Sequence, residues 1–222
     1  MDVKHIFAHI DHTILGPCST MQEIERLCKE AIDNNMASVC IPPSFVKRAK
    51  DMCGDKLAIC TVIGFPLGYS TTETKLFETK DAIANGADEI DMVINLGDVK
   101  EGNFLSVKNE IKNIKEVCGN KILKVIVETC FLTQEEKETL CRCVTEAGAD
   151  FIKTSTGFGT SGASIEDIEL FKKNIGSKVK IKASGGIRTY EDFIRYLEAG
   201  CERIGTSSAM KVLCEKGGVK HV

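Results

Sequence analysis

Eight short apolar runs rich in β-branched residues alternate with helix-length amphipathic segments along this chain. Such alternation is typical of βα units arranged around a parallel sheet. The predicted strands are Ala8–Asp11, Ala37–Ile41, Leu57–Gly64, Glu89–Asn95, Ile122–Glu128, Phe151–Thr154, Val179–Ala183 and Arg203–Thr206. The predicted helices lie near residues 20–35, 44–52, 72–85, 103–118, 133–147, 164–175 and 189–199, and a last one begins at about 207.

The number of units predicts a closed barrel. Eight βα units in 222 residues, with short connections and no shift in composition, favour one (β/α)8 TIM barrel of the α/β class that spans residues 1–222 as a single domain. The alternative, an open doubly wound sheet, usually carries a nucleotide-binding fingerprint. No GxGxxG follows the first predicted strand, and no GxxxxGK[ST] occurs in the sequence.

Composition excludes several classes of partner. The chain has 29 basic and 32 acidic residues, so it lacks the charge excess that binds nucleic acid or an anionic membrane. Its N-terminus shows no signal-peptide pattern, and no apolar run approaches the roughly 20 residues that span a bilayer. Eleven scattered cysteines, an odd number, indicate reduced thiols more than a disulfide scaffold. We therefore expect a cytoplasmic protein.

Ionisable side chains interrupt two predicted strands that a barrel would bury on both faces. By the two-residue period of a strand, Glu89, Asp91 and Asn95 share one face, and Lys124 and Glu128 share one face of the next strand. Buried charge is costly unless it is paired or functional. Two interpretations remain open for each residue, namely a structural ion-pair network in the barrel and an active site.

Lys153 ends the run Asp150–Lys153 in the sixth predicted strand, and Lys182 ends the run Val179–Lys182 in the seventh. Repulsion between two neighbouring ammonium groups favours the loss of a proton from one of them. A neutral lysine amine attacks carbonyl groups, and the resulting protonated imine stabilises the carbanion needed to make or break an aldol bond. Asp91 on the same interior face would move protons, directly or through water. This chemistry requires neither a metal nor a cofactor.

Glycine-rich segments follow the last three predicted strands, at the end of a barrel where enzymes bind their ligands. Ala183–Arg188 reads ASGGIR, and Gly205–Ala209 reads GTSSA and begins a helix. Glycines let backbone amides approach an anion, and a helix N-terminus adds oriented N–H groups. The segment 153–162, KTSTGFGTSG, is similar in composition. We therefore predict a phosphate site at these loops.

The sequence resembles the class I, Schiff-base deoxyribose-phosphate aldolase family from end to end. The segments KTSTGFG and KASGGIRT, in that order, are its most specific motifs. The segments that carry the resemblance are Ile10–Leu15, Ala37–Ile41, Cys60–Gly68, Ala87–Asn95, Leu123–Thr129, Phe151–Gly159, Ile181–Arg188 and Ile204–Ser208.

The resemblance implies reversible cleavage of a small sugar phosphate, 2-deoxy-D-ribose 5-phosphate, to D-glyceraldehyde 3-phosphate and acetaldehyde. It implies that Lys153 forms the Schiff base, that Lys182 is the partner that favours its neutral amine, and that Asp91 donates and accepts protons. The implied phosphate-binding residues are Gly157, Gly185, Gly186, Gly205, Ser207 and Ser208. The implied pocket-lining residues are Asp11, Thr13 and Cys40. A homo-oligomer is left open.

One departure from the family concerns its proton donor. Some members end in a tyrosine that helps proton transfer, whereas this sequence ends GGVKHV, and His221 is the alternative donor there.

Two other functions are alternatives to the aldolase. A metal-dependent aldolase or sugar-phosphate isomerase requires a metal cluster or a catalytic Glu with His, and the spacing of His5, His9 and His12 indicates no metal site. A non-catalytic phosphosugar sensor requires only the glycine-rich loops.

Overall fold

The structure, a computed structural model, describes residues 1–217 and forms a closed barrel of parallel strands in the order β1 to β8. The strands are β1 (Ile10–Thr13), β2 (Ser38–Ile41), β3 (Ile59–Ile63), β4 (Glu89–Val93), β5 (Ile122–Ile126), β6 (Phe151–Lys153), β7 (Lys180–Ser184) and β8 (Arg203–Thr206). The prediction of an eight-stranded barrel is therefore confirmed. The first predicted strand was placed two residues too early, because Val3–Phe7 forms a helix that ends just before it.

The helices that alternate with the strands cover the outside of the barrel. They are α1 (Val3–Phe7), α2 (Met21–Asp33), α3 (Val46–Cys53), α4 (Thr72–Ala84), α5 (Leu96–Lys100), α6 (Phe104–Cys118), α7 (Gln134–Glu146), α8 (Ile165–Asn174), α9 (Tyr190–Ala199) and α10 (Ala209–Gly217). The short α1 and α5 were not predicted. A capping box begins α7, since Thr133 accepts from the Glu136 amide and Glu136 accepts from the Thr133 amide at 2.7 Å.

Each strand pairs with its neighbours along the chain, and β1 closes the ring on β8 with Ile10 beside Ile204. The apolar residues that alternate along the strands, such as Val39, Ile90 and Ile152, face the helices and form the main core. This leaves the opposite set of side chains inside the ring, as a barrel requires. The carboxyl ends of all eight strands therefore open onto one face of the molecule.

The interior of the ring is divided into an apolar half and an ionic half. On β2 and β3 the inward side chains Cys40, Cys60 and Val62 form a small apolar cluster, against which Leu15 and Phe65 pack. The inward side chains of β4 to β8 and β1 include buried carboxylates and lysines. The site described below lies in this ionic half. Within residues 1–217, no helix has both the length and the apolar character needed to cross a membrane.

Candidate active site

The carboxylate of Asp91 on β4 is fully buried and is the centre of an ionic cluster. Its Oδ2 accepts from Lys153 on β6 and from Lys182 on β7, each at 2.7 Å. Its Oδ1 accepts from Lys124 on β5 at 2.9 Å and from the thiol of Cys60 at 3.2 Å. The structure thus brings together the three residues predicted to carry the chemistry, with both lysines bound to the same oxygen of Asp91.

Two further carboxylates and an arginine complete this cluster towards the amino ends of the strands. Asp11 on β1 pairs with Lys182 at 2.5 Å and with Arg203 on β8. Glu89 on β4 pairs with Lys124 at 2.5 Å and with Arg203 at 2.9 Å. We call these seven residues the ionic cluster: Asp11, Glu89, Asp91, Lys124, Lys153, Lys182 and Arg203. It contains four basic and three acidic side chains.

Carboxylates dominate the electrostatics of Lys182. Burial opposes its charge, but Asp11 and Asp91 outweigh burial and raise the pKa of Lys182 well above its usual range. Burial likewise opposes the charge of Asp91, yet Lys124, Lys153 and Lys182 hold the pKa of that carboxyl well below its usual range. Lys182 is therefore a cation at neutral pH, and Asp91 is an anion. Repulsion between the two lysines, which the sequence predicts, is thus accompanied by the attraction of Lys182 to Asp11, a partner that the sequence does not reveal.

A cavity of about 320 Å³ opens above the ionic cluster at the carboxyl ends of the strands. Lys153, which is only 3% exposed, reaches it from below. Every residue predicted to bind phosphate lines this cavity: Gly157, Gly185, Gly186, Gly205, Ser207 and Ser208. The lining also includes residues that the sequence argument did not name individually, among them Leu15, Thr156, Ser184 and Arg188.

The three residues predicted to line the pocket occupy different positions. Thr13 lines the cavity. Asp11 and Cys40 are fully buried and are not among the lining residues. Asp11 belongs to the ionic cluster, and Cys40 lies beside Cys60 in strand register. Position in a shared motif did not distinguish the cavity wall from the barrel interior.

Gly205 leaves the space that Lys182 occupies. A Cβ added at Gly205 would lie 3.1 Å from Cε of Lys182 and 3.1 Å from Cβ of Ser184. Such contacts are tighter than ordinary van der Waals packing, so a larger side chain on β8 would press on the lysine. The absence of a side chain at Gly205 thus serves the ionic cluster as well as the cavity wall.

Two predicted interior residues point elsewhere, because the strands end earlier than the period-2 pattern assumed. β4 ends at Val93, and Asn95 caps α5 by accepting from the Gly97 amide at 3.0 Å. β5 ends at Ile126, and Glu128 adopts a left-handed backbone with φ 55°. Its carboxylate contacts the loop after β6 and does not join Lys124. The predictions that Asn95 shares a face with Asp91, and that Glu128 shares a face with Lys124, are wrong for this reason.

One group of residues in the described part of the chain has ligand types that suit a metal. Sγ of Cys40, Sγ of Cys60 and an oxygen of Asp91 lie within 4.8 Å of one another. However, both oxygens of Asp91 already accept from lysine ammonium groups, and Lys124 lies 3.3 Å from Sγ of Cys60. A cation placed here would meet several positive charges, so these side chains do not fit a metal site.

The three histidines within residues 1–217 do not line the cavity. His5 and His9 contact each other at the surface, with ring centroids 4.6 Å apart. His12 faces outward from β1 and pairs with Glu30 at 2.8 Å. His221, the alternative proton donor in the sequence argument, lies outside the described residues.

A closed parallel barrel with a glycine-lined cavity at the carboxyl ends of its strands belongs to the α/β-barrel class, in which enzymes bind their substrates at this end. Comparison with known proteins makes this more precise. A family model described as "DeoC/LacD family aldolase" matches residues 5–214, and the chain belongs to that family.

Relatives within this family are similar over nearly their whole length. A deoxyribose-phosphate aldolase of Clostridium botulinum (strain Alaska E43 / Type E3) is 57% identical over 213 residues, which cover 96% of each chain. A putative deoxyribose-phosphate aldolase structure from Coccidioides immitis is 40% identical, with a TM-score of 0.93 over 97% of this chain and 87% of that one. The enzyme from Aeropyrum pernix, described as having a unique tetrameric structure, is 31% identical, with a TM-score of 0.90 over 98% and 94%.

Proposed function

We propose that the protein is a deoxyribose-phosphate aldolase, which cleaves 2-deoxy-D-ribose 5-phosphate reversibly to D-glyceraldehyde 3-phosphate and acetaldehyde. The names and full-length similarity of its relatives support this substrate. Small-molecule metabolism also suits a chain whose charges are balanced and whose eleven cysteines are all free, as in the reducing cytoplasm.

In this proposal the neutral amine of Lys153 attacks C1 of the open-chain sugar, and loss of water gives a protonated imine. Removal of the proton from the C3 hydroxyl breaks the C2–C3 bond and releases D-glyceraldehyde 3-phosphate, while the bonding electrons remain on C2 as an enamine. Protonation of C2 followed by hydrolysis releases acetaldehyde and regenerates the amine. The imine acts as the electron sink for the bond that breaks.

The observation that carries the proposal is the unequal pairing of the four basic residues in the ionic cluster. Lys153 pairs with one carboxylate within residues 1–217, namely Asp91, whereas Lys124 contacts three and Lys182 contacts two. A neutral Lys153 also balances three remaining cations against three anions. Of the three lysines in the cluster, Lys153 therefore gives up the fewest ion pairs when its amine is neutral. Lys153 is also the lysine of the cluster that lines the cavity.

Asp91 is assigned the proton transfers near Lys153, and Lys182 supplies the positive charge that favours a neutral amine there. Since its pKa is held low, Asp91 is ionised at neutral pH and is available to accept a proton. Lys182, charged and 2.7 Å from the same oxygen, holds this carboxylate beside Lys153. Water in the cavity would connect this buried pair to the substrate hydroxyl, a role that a C-terminal tyrosine fills in some relatives.

The glycine-rich wall of the cavity is assigned the 5-phosphate. Gly185 and Gly186 both have positive φ, at 81° and 77°, and no Cβ lies between their amides and the cavity. The amides of Ser207 and Ser208 precede α10, whose N-terminus favours an anion. Arg188, on the same wall, adds a positive charge.

Trapping the imine tests the covalent step. Borohydride reduction in the presence of acetaldehyde is expected to add a two-carbon group to Lys153, detected by peptide mass spectrometry. Lys153→Ala is expected to lose both the adduct and turnover, whereas Lys180→Ala, at an exposed lysine of β7, is expected to keep both. Turnover that survives Lys153→Ala contradicts the proposal, and phosphosugar binding without turnover in the unmodified protein indicates the non-catalytic sensor.

A homo-oligomer is proposed on the strength of the Aeropyrum pernix relative, which is described as tetrameric. Light scattering coupled to size-exclusion chromatography gives the mass directly. Elution at the mass of one 24.3 kDa chain contradicts this part of the proposal.

A further inference from the structure

Glu128 has no part in the chemistry proposed above, yet it is buried beside the cavity in an unusual conformation. Its side chain is 3% exposed, and its φ of 55° and ψ of 67° lie in the left-handed region. A glutamate there costs about 1 kcal/mol or more, so the surrounding contacts must hold it in place. Such outliers cluster at functional sites.

The backbone geometry shows how Glu128 is turned away from the barrel interior. Beyond the end of β5, the amide of Val127 donates to the Lys153 carbonyl and the amide of Thr129 donates to the Thr154 carbonyl. Two residues on one side thus match one on the other, and Glu128 is the extra residue of a bulge. Bulges redirect a side chain, and this one aims the carboxylate at the loop that follows Lys153.

At that loop the carboxylate holds Thr156, a residue of the cavity wall. The Thr156 amide lies 3.2 and 3.3 Å from the two oxygens of Glu128, and the Thr156 hydroxyl makes a short hydrogen bond to Oε2. The hydroxyl in turn accepts from the Phe158 amide at 3.0 Å. Bonds to a carboxylate are stronger than neutral ones, so this loop is tied to the end of β5 by charge-assisted contacts.

The fit extends to the glycines on each side of Phe158. Gly157, which lines the cavity, has a φ of 88° and lies between Thr156 and Phe158, whose amides are held by the hydrogen bonds described above. A Cβ at Gly159 would lie 3.2 Å from Cδ of Glu128 and 2.8 Å from Sγ of Cys130. The loop therefore lies directly against the glutamate, and its course over the cavity depends on that contact.

We propose that Glu128 is a positioning residue for phosphate recognition: through Thr156 it presets the loop after β6 so that the Gly157 amide faces the bound phosphate. This inference rests on the proposed function, since it assigns the phosphate to that cavity wall. Glu128 does not touch the reacting atoms, so it acts on binding of the phosphorylated substrate and leaves Lys153 competent to form its imine.

Steady-state kinetics with two substrates tests this role. For Glu128→Gly, which removes the carboxylate and relieves the backbone, we expect KM for 2-deoxyribose 5-phosphate to rise about tenfold or more, with kcat changed by less than about threefold. For Glu128→Gln, which keeps an acceptor, we expect a smaller rise. With unphosphorylated deoxyribose, kcat/KM is expected to stay at the unmodified level, as is the rate of acetaldehyde trapping on Lys153. The control is Glu136→Gln, at the start of α7, which is expected to leave kcat and KM for both substrates unchanged.

Two results overturn the proposal. If the ratio of kcat/KM for the two substrates is unchanged in both Glu128 variants, Glu128 does not act on phosphate binding. If both substrates and the trapping rate fall together, Glu128 merely maintains the fold. Absence of turnover and of any Lys153 adduct in the unmodified protein would instead refute the proposed function. In that event, calorimetry with inorganic phosphate still decides the role of Glu128, with weaker binding by Glu128→Gly supporting it and equal binding refuting it.

Discussion

A single oxygen of Asp91 accepts from two lysines, Lys153 and Lys182, each at 2.7 Å. The two Nζ atoms are therefore no more than twice this distance apart. Groups that share a partner at such range do not respond independently to substitution. Consequently a change at Lys182 alters the charge seen by Lys153 and by Asp91 at once.

Lys182→Leu tests this coupling. Removal of the neighbouring positive charge makes protonation of Lys153 easier, so we expect the acidic limb of the pH–rate profile to move to higher pH and activity at neutral pH to fall. The profile of kcat/KM from about pH 5 to 9 measures the shift. Lys180→Leu removes an exposed lysine from the same strand and serves as the control. An acidic limb that stays in place in Lys182→Leu removes Lys182 from its assigned role.

At this scale the sequence predicts residue types better than their partners. Lys153, Lys182 and Asp91 were identified because lysines and carboxylates recur at the inward positions of adjacent predicted strands. Asp11, Glu89 and Arg203 could not be assigned as their partners in this way, because these side chains meet only when β1 closes on β8 and Arg203 spans to β4. The bulge at Glu128 was also hidden, since a positive φ at glutamate has no sequence signature.

Among the helices and strands, a buried ion pair joins α4, α6 and the end of β4. Lys75, which has no exposed surface, donates to Glu110 at 2.9 Å and to the carbonyl of Val93 at 2.9 Å. Burial lowers the pKa of Lys75 and raises that of Glu110, so burial opposes the charge on each partner. Gly64 makes room for this lysine, because a Cβ there would lie 2.7 Å from its Cε.

Removing one partner of this pair should destabilise the protein more than removing both. Lys75→Met leaves Glu110 as an uncompensated buried carboxylate, and we expect a loss of about 3–5 kcal/mol in the free energy of unfolding. The double variant Lys75→Met with Glu110→Leu removes both charges and should recover most of that loss. Urea unfolding of the two variants and the unmodified protein measures the difference. A double variant no more stable than Lys75→Met would contradict this account.

The strands and the main helices were predictable, whereas the short helices were not. Alternating apolar runs and helix end signals such as Thr133 with Glu136 are local patterns that are sufficient to define eight βα units. By contrast, α1 and α5 have five residues each, too few for a periodic pattern, and they form where the chain enters β1 and leaves β4. Their stability comes from packing of residues such as Phe7 and Val99, which sequence periodicity does not reveal.

For the whole molecule, the ionic cluster connects six of the eight strands across the inside of the barrel. Asp11 and Asp91 have pKa values held below the ordinary range, because neighbouring lysines outweigh the effect of burial. A carboxyl whose pKa is lower in the folded than in the unfolded protein stabilises the fold. This contribution is present above the pKa of the unfolded state, about 3.9, and is lost as the pH falls towards the pKa of the folded state. Lys124 and Lys182, with raised pKa values, lose their contribution only at alkaline pH.

We therefore expect the free energy of unfolding to fall as the pH drops below about 4. Asp11→Asn should be less stable at neutral pH, because it leaves Lys182 and Arg203 short of a partner, and its stability should depend less on pH in the acidic range. Urea unfolding between about pH 2 and 7 measures both slopes. Asp51→Asn, at an exposed residue, is the control. Equal acidic slopes for Asp11→Asn and the unmodified protein would show that this carboxyl does not contribute.

Because β1 pairs with β8, each of these strands covers the edge of the other and prevents it from pairing with another chain. An intact ring has no unpaired strand edge, so its backbone amides and carbonyls are unavailable to neighbouring molecules. A version trimmed past Thr13 would lose β1 and expose β2 and β8 as two unpaired edges, each able to pair with a strand of another chain. The same closure brings the two ends of the ring together, so new termini placed in a surface loop would leave every strand paired.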